Sequence, residues 1–306
     1  MRAARVAMVG GAPALADVTA PEAGDRQLLD VLAVALNPLD LAVAAGRFYA
    51  GHPPLPYTPG SEAVARAADG ARVYVFGDGL GVARDGTLAE QATVAPDRVV
   101  PVDGDVDDAT AVALGIAGII GWDALERARV GPGDRVLVLG ATGTAGSVAV
   151  QGARLRGAEL VVAAGRDPGR LERARALGAD AAVTLGDDLA SAFQGEGPTV
   201  VLDALWGAPV EAAVDTAAHR ARIVHFGQSA GPEATFKSAA IRGKELELLG
   251  QSNFARTKEE LHATHAELLR RVEAGELEVD FEKFGLQDVE QAWKHQASGG
   301  KAVVII

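Results

Sequence analysis

The stretch that decides the fold runs from Arg135 to Asp167 and reads RVLVLGATGTAGSVAVQGARLRGAELVVAAGRD. It opens with a short apolar run bounded by turn residues, which is typical of a buried parallel strand. A turn with the spacing G-x-x-G-x-x-G follows, then a helical pattern, and then a second apolar strand. A strand, a glycine turn, a helix and a strand within about thirty residues predict the βαβ unit that binds dinucleotides.

The glycines of this turn, Gly140, Gly143 and Gly146, have a physical reason. A tight turn requires backbone angles that a Cβ atom disfavours. The pyrophosphate of a dinucleotide must also approach backbone N–H groups at the N-terminus of the helix, where the helix dipole favours an anion. The alternative is a glycine-rich turn in some other α/β protein. On the first interpretation, the contacts with the cofactor come from Gly140, Thr142, Gly143, Thr144 and Ala145.

The end of the second strand indicates which dinucleotide binds. Sites for NAD usually place an Asp or Glu there, which binds the ribose 2′-hydroxyl. Here the strand ends in Gly165 and Arg166, and Arg170 follows four residues later. Because a guanidinium matches a phosphate group, the sequence favours NADPH over NADH. Two alternatives stay open: Asp167 could bind the ribose if the register shifts by one residue, and Arg170 could be a solvated helix charge.

The composition limits the classes of function. The chain has 306 residues, a hydrophobic content of 48%, a charged content of 23% and a net charge of −12. These values are typical of a globular protein and argue against electrostatic binding of nucleic acid. The chain has no cysteine, which excludes disulfides and cysteine-ligated zinc. We recognise no secretory signal and no membrane span, so we expect a cytoplasmic protein with no membrane partner.

The rest of the sequence predicts two domains. Residues 1–118 contain short apolar runs between turn residues, including residues 6–9, and predict a barrel-like β domain. Within it, Asn37 is expected to begin a short helix that ends at Gly46. Two helices joined near residues 117–118 lead into residues 119–254, where strands and helices alternate as in a doubly wound parallel sheet. Residues 255–306 contain an amphipathic helix and can rejoin the first domain.

Ligands of a doubly wound sheet bind at the carboxyl ends of its strands. Besides the glycine turn and Arg166, that edge should carry Asp203 and the segments that follow two later strands. We therefore expect further cofactor contacts from Phe226, Gly227, Gln228, Gln251, Ser252 and Asn253.

Six short motifs occur in an order and spacing that are specific for one superfamily. They are Asn37-Pro38-Leu39-Asp40, Pro56-Tyr57-Thr58-Pro59-Gly60-Ser61-Glu62, Gly86-Thr87-Leu88-Ala89-Glu90, Trp122-Asp123-Ala124-Leu125, Leu139-Gly140-Ala141-Thr142-Gly143 and Gly299-Gly300-Lys301. Over nearly its whole length the chain resembles the medium-chain dehydrogenase/reductase superfamily, in its zinc-free quinone oxidoreductase (zeta-crystallin-like) branch. The resemblance implies an α/β architecture in which a Rossmann domain, a doubly wound parallel sheet, is inserted into a GroES-like β-barrel domain formed by both chain ends.

The resemblance also implies a function. Relatives use NADPH to reduce quinones, or the C=C bond of α,β-unsaturated carbonyls, and form homodimers through an edge strand that here spans residues 246–250. Ser61 and Glu62 stand where zinc-dependent relatives have a His-Glu pair, so no metal is expected; a site built from the six histidines is the remaining alternative. A third possibility is a non-enzymatic NADPH-binding redox sensor.

Two residues are candidates for the catalytic step. Asn37, whose family counterpart lies near the nicotinamide, and Tyr49 could each donate a hydrogen bond to the oxyanion that forms when hydride arrives. Each has an alternative, since Asn37 could be only a helix cap and Tyr49 could only line an apolar surface. Ile120 and Ala42 replace polar residues that are frequent in relatives, which favours a hydrophobic quinone or enone as substrate.

Overall fold

The computed structural model describes all 306 residues. The chain forms two compact units. One contains residues 1–117 together with residues 254–306, and we call it the barrel unit. The other contains residues 118–253, and we call it the sheet unit. The boundaries expected from the sequence, after residues 118 and 254, lie one residue from those of the structure.

Short strands dominate residues 1–117. The elements are β1 (Arg2–Arg5), β2 (Ala14–Asp17), β3 (Gln27–Ala35), α1 (Pro38–Ala44), β4 (Glu62–Arg66), β5 (Arg72–Phe76), β6 (Gln91–Val94), a 3-10 turn (Pro96–Arg98), β7 (Val99–Pro101) and α2 (Asp108–Ala113). The predicted strand at residues 6–9 is wrong, since only Val6 makes a single bridge, to Tyr57, before the chain turns. Met8 and Val9 are exposed there, and Gly10 has a positive φ, so this apolar run is a turn.

Strands and helices alternate in the sheet unit. After α3 (Ile116–Arg127), which crosses the boundary, the elements are β8 (Arg135–Leu139), α4 (Thr144–Leu155), β9 (Leu160–Gly165), α5 (Pro168–Ala176), β10 (Ala181–Thr184), a 3-10 turn (Leu189–Phe193), β11 (Val200–Asp203), α6 (Ala208–Thr216), β12 (Arg222–His225), α7 (Ser238–Gly243) and β13 (Glu247–Gly250). The sequence did not predict α7. The junction of α2 and α3 falls at residues 114–115 instead of 117–118. There the backbone N–H of Ile116, the first residue of α3, donates to the carboxylate of Glu62, and Gly115 has no room for a side chain beside that carboxylate.

The sheet of this unit is parallel throughout, in the order β10-β9-β8-β11-β12-β13. The strand order reverses direction between β8 and β11. This is the topological switch point at which doubly wound sheets bind ligands, beyond the carboxyl ends of the strands. The doubly wound fold predicted from the sequence is confirmed.

The last residues complete the barrel unit. They form a 3-10 turn (Asn253–Ala255), α8 (Lys258–Glu273), β14 (Glu282–Gly285), a 3-10 turn (Leu286–Asp288), α9 (Val289–Ala297) and β15 (Ala302–Ile305). β15 pairs antiparallel with β3, so both ends of the chain share the seven-stranded sheet β14-β15-β3-β4-β5-β7, with β6 on β3. β1 and β2 form a separate two-stranded sheet. None of the helices has the length and apolar character needed to cross a membrane.

Candidate functional site

The glycine turn after β8 is a cradle that admits no side chain. A Cβ atom on Gly146 would lie 2.2 Å from the carbonyl oxygen of Gly140, and Gly140 itself has a φ of +81°. The turn leads into α4, which begins at Thr144 after Gly143. The free N–H groups of the first turn of α4 therefore border a concave backbone surface, which fits the pyrophosphate of a dinucleotide.

The tip of β9 carries the residues expected to select the cofactor. Gly165 is buried, and a Cβ atom there would lie 2.7 Å from Cγ2 of Thr142 in the glycine turn. Arg166 follows as an exposed side chain. The carboxylate of Asp167 accepts a hydrogen bond of 2.9 Å from the backbone N–H of Arg170 and so caps α5. This capping role explains Asp167 without a ribose contact, and Arg170 is exposed in the first turn of α5.

The remaining predicted cofactor residues follow β12 and β13, two strands whose carboxyl ends lie at the same edge of the sheet. Gly227 packs closely on the loop after β11, since a Cβ atom on it would lie 2.6 Å from the carbonyl oxygen of Ala204. The accessibility of these residues differs: Phe226, Gly227 and Gln251 are half-buried, Gln228 and Ser252 are exposed, and Asn253 is buried. The topology thus brings these segments to the edge that carries the glycine turn.

Asn37 lies in the barrel unit, where the nitrogen and the oxygen of its side-chain amide both make hydrogen bonds. Its Nδ2 donates to the carbonyl of Ala35 at 3.1 Å and to Glu62 at 2.6 Å, and its Oδ1 accepts from Lys301 at 2.9 Å. Its backbone N–H donates to the carboxylate of Asp40 at 2.8 Å, just before α1. Because both amide hydrogens are engaged, Asn37 has none left for a substrate oxygen in this arrangement. Asn37 stands at the N-cap position of α1, but its side chain makes no capping hydrogen bond. A catalytic role for Asn37 stays a prediction.

Glu62 and Lys301 make this region a buried charged cluster. Glu62 also accepts hydrogen bonds from the hydroxyl of Tyr74 at 2.8 Å and from the backbone N–H of Ile116 at 2.6 Å. The ammonium of Lys301 lies 3.8 Å from Glu62 and donates to the carbonyl of Leu36 at 3.0 Å. Burial raises the pKa of Glu62 and lowers the pKa of Lys301, and each is opposed by the other's charge. The cluster ties β4 to the residue that precedes β15.

His265, in α8, stacks on Tyr74 of this cluster at 4.6 Å between ring centroids. Its Nε2 lies 2.9 Å from the carbonyl of Ala111 and donates to it. Burial lowers the pKa of His265 to about 4, whereas burial raises the pKa of Asp40 to about 6. The two groups therefore change the stability in opposite senses as the pH falls below neutral.

We expect the substitution His265→Phe to make the free energy of unfolding less dependent on pH below neutral. Below about pH 6.5 the unfolded chain protonates His265 while the folded chain does not, so the native protein loses stability. Between about pH 7.5 and pH 5, the free energy of unfolding of the native protein should fall by about 2 kcal/mol more than that of the variant. Urea unfolding at both pH values measures this difference. Asp40 is present in both proteins, so its opposite effect cancels in the comparison. Equal changes in both proteins would contradict it.

Tyr49 borders an apolar cavity of the barrel unit. Its side chain is 84% exposed and its ring lies 4.3 Å from that of Phe48. The cavity has a volume of about 270 Å³ and is lined by Phe48, Tyr49, Ala50, Phe76, Gly77, Gly79, Leu80, Val82 and Phe254. Among the side chains that line the cavity, the hydroxyl of Tyr49 is the one group that can form a hydrogen bond. Sequence reasoning missed Phe76, Leu80, Val82 and Phe254, because separate segments bring them together and no motif marks them.

No group of three or more His, Asp or Glu side chains in the structure is arranged to hold a metal ion. The fit to NADPH rests instead on the glycine cradle and on Arg166 at the tip of β9. Both are surfaces of the sheet unit to which a dinucleotide phosphate is complementary.

Comparison with known proteins gives consistent matches. Residues 145–273 match the family model described as zinc-binding dehydrogenase. A quinone oxidoreductase from Thermus thermophilus, solved also as its complex with NADPH, aligns over the whole of both chains with a TM-score of 0.85 and 29% identity. A 2-methylene-furan-3-one reductase from Solanum lycopersicum is 34% identical over 52% of this chain and 44% of its own.

A further relative is much longer than this chain. It is a phenolphthiocerol/phthiocerol polyketide synthase protein of Mycobacterium tuberculosis, 31% identical over 92% of this chain, which corresponds to 14% of the relative's own length. The shared segment therefore spans nearly all of this chain but about a seventh of that protein. Together with the parallel sheet and its glycine turn, these matches establish the family. The chain belongs to the medium-chain dehydrogenase/reductase superfamily, in its quinone oxidoreductase-like branch.

Proposed function

We propose that this chain is an NADPH-dependent oxidoreductase that transfers hydride to a hydrophobic quinone without a metal ion. The observation that carries the proposal is the glycine cradle at the switch point of the sheet unit, with Arg166 at the tip of the neighbouring strand. The similar quinone oxidoreductase of Thermus thermophilus, solved with NADPH, supports the same cofactor here.

The residues of the sheet unit then bind and orient the cofactor. The backbone N–H groups at the start of α4 hold the pyrophosphate, and the guanidinium of Arg166 pairs with the 2′-phosphate. Phe226, Gly227, Gln228 and the segment of residues 251–253 line the same edge beyond β12 and β13. NADPH, when bound, supplies the hydride. Holding the reactants in one arrangement converts a bimolecular transfer into an effectively unimolecular one.

The barrel unit provides the acceptor surface. The cavity beside Tyr49 has apolar walls, which suit a quinone ring. We propose that the Tyr49 hydroxyl donates a hydrogen bond to the acceptor oxygen, where negative charge develops. That hydroxyl is exposed and available, whereas the amide hydrogens of Asn37 are engaged by Ala35 and Glu62. We propose that Asn37 holds the start of α1 in place through its backbone contact with Asp40.

Reduction of a C=C bond is the second candidate function. The observation that favours it is the similarity to the furanone reductase of Solanum lycopersicum. An α,β-unsaturated carbonyl compound can also have an apolar carbon skeleton, and its carbonyl oxygen is an acceptor that Tyr49 can bind. The cofactor residues would be the same for both reactions, so only the product separates them.

We expect the purified chain to consume NADPH with 1,4-naphthoquinone and to yield NADP⁺ and the hydroquinone, with hydride from NADPH and a proton from water. The assay runs the quinone and a medium-chain enone side by side, with NADH as the cofactor control and product identification for both. Formation of a saturated carbonyl from the enone alone would replace the main proposal with C=C reduction. Tight binding of NADPH without consumption in either reaction would favour a redox sensor.

We also propose that two copies of the chain associate through β13, as the family resemblance implies. β13 pairs with β12 on one side only and is an edge strand of the sheet. Its Leu248 is 42% exposed, and an exposed apolar edge strand is a template for pairing with another chain. Light scattering should therefore give the mass of two chains.

A further inference from the structure

Asp203, at the end of β11, holds three groups around one buried carboxylate. One oxygen accepts hydrogen bonds from the backbone N–H groups of Leu205 at 2.9 Å and Trp206 at 3.0 Å. The other oxygen lies 2.9 Å from Nδ1 of His225, at the end of β12. The carboxylate is fully buried, so its oxygens are not exposed to solvent. Asp203 thus fixes both the loop after β11 and the imidazole of the next strand.

The imidazole of His225 is held in one orientation. Because the carboxylate of Asp203 accepts from Nδ1, the neutral ring carries its proton on Nδ1 and presents Nε2 as an acceptor. The ring of Trp206 lies 4.1 Å from the imidazole, and Phe236 packs edge-on against Trp206 at 5.6 Å. The His225 side chain is 32% exposed, and Nε2 has no protein partner and is not buried. The result is a preorganised acceptor atom at the surface.

The position of His225 in the sheet indicates which part of a bound dinucleotide its Nε2 would contact. β8, β9 and β10 form one half of the doubly wound sheet, with the glycine turn and Arg166 at the adenosine end of the site. β11, β12 and β13 form the other half, which takes the second mononucleotide. His225 lies at the carboxyl end of β12, directly before Phe226 and Gly227. Within that mononucleotide, a ribose hydroxyl can donate a hydrogen bond to a neutral acceptor nitrogen.

We infer that His225, oriented by Asp203, is a cofactor-binding residue whose Nε2 accepts a hydrogen bond from the ribose of the nicotinamide nucleotide. The inference rests on the proposed use of a nicotinamide dinucleotide. His225 acts on a group that NADPH and NADH share, so it contributes equally to the binding of both. Arg166, in contrast, contributes only to the binding of NADPH.

Two variants separate Nε2 from the structural contact with Asp203. In His225→Asn, the side-chain amide can still donate to Asp203, as Nδ1 does, but no atom replaces Nε2. In His225→Gln, the longer side chain places its amide oxygen near the position of Nε2. The matched control is His219→Asn, because His219 is an exposed histidine that lies 3.6 Å from Glu245. Isothermal titration measures the Kd of NADPH, NADH and 2′,5′-ADP for each protein, and thermal unfolding monitors the fold.

We expect His225→Asn to raise the Kd of NADPH and of NADH by the same factor, about 10-fold, and to leave the Kd of 2′,5′-ADP unchanged. His225→Gln should retain most of the affinity, and His219→Asn all of it. An unchanged Kd of NADPH in His225→Asn would overturn the inference. An equal loss for NADPH and 2′,5′-ADP would also overturn it, because 2′,5′-ADP has no nicotinamide ribose. Failure of the native chain to bind either dinucleotide would instead overturn the proposed function itself.

Discussion

Replacing Lys301 with methionine is expected to lower the free energy of unfolding by about 3–5 kcal/mol at neutral pH. The substitution removes the cation that lies 3.8 Å from the buried carboxylate of Glu62 and donates to Asn37 and Leu36. A buried charge that loses its partner retains the full cost of its desolvation. Urea unfolding of both proteins at one pH measures the difference.

Two further variants test whether the loss of stability comes from the buried, unpaired charge of Glu62. The double variant Lys301→Met/Glu62→Gln should recover at least about 1 kcal/mol, since no unpaired carboxylate remains. The control is Arg129→Met, which breaks the exposed pair of Arg129 with Glu247 and should cost less than about 1 kcal/mol. A loss in Lys301→Met as small as that of the control would contradict a stabilising role for the cluster.

Replacing Arg166 with aspartate is expected to weaken NADPH binding about 100-fold and to leave NADH binding equal or tighter. The substitution removes the guanidinium proposed to pair with the 2′-phosphate and places a like charge beside that group. A carboxylate at the tip of β9 is also the usual partner of the ribose 2′-hydroxyl in NAD sites. Titration of NADPH and NADH with both proteins gives the ratio of their dissociation constants.

The control for this prediction is Arg175→Asp. Arg175 is in the last turn of α5, next to Glu172, and its substitution makes the same change of net charge away from the tip of β9. It should reduce NADPH binding far less than Arg166→Asp does. An equal loss in both variants would show a general electrostatic effect, and an unchanged ratio of NADPH to NADH affinity in Arg166→Asp would exclude the proposed phosphate contact.

The sheet unit could be predicted from the sequence because its signals are local. The apolar run before Gly140, the glycine turn and the strand ending at Gly165 lie within one βαβ unit, where neighbours in the chain are neighbours in space. Right-handed parallel crossovers then leave few ways to arrange the strands. The capping of α5 by Asp167 needed the structure, because a carboxylate at that position fits either a cap or a ribose contact.

The barrel unit was less predictable because its contacts join distant residues. The carboxylate of Glu62 binds Asn37 and Tyr74, while Lys301 is near the end of the chain. No local sequence pattern predicts such a cluster, although the Ser61-Glu62 motif includes one of its residues, Glu62. The apolar residues 6–9 resembled a strand in composition but are an exposed turn. Similarly, Phe76 and Phe254 meet at 5.2 Å only after folding.

The most direct test of the central claim is the affinity of the native chain for NADPH and NADH, measured by isothermal titration under the same conditions. The glycine cradle of the sheet unit and Arg166 together predict binding of both dinucleotides, with NADPH at least about 10-fold tighter because only NADPH carries the 2′-phosphate. Equal affinity for the two, a preference for NADH, or no binding of either would contradict the account.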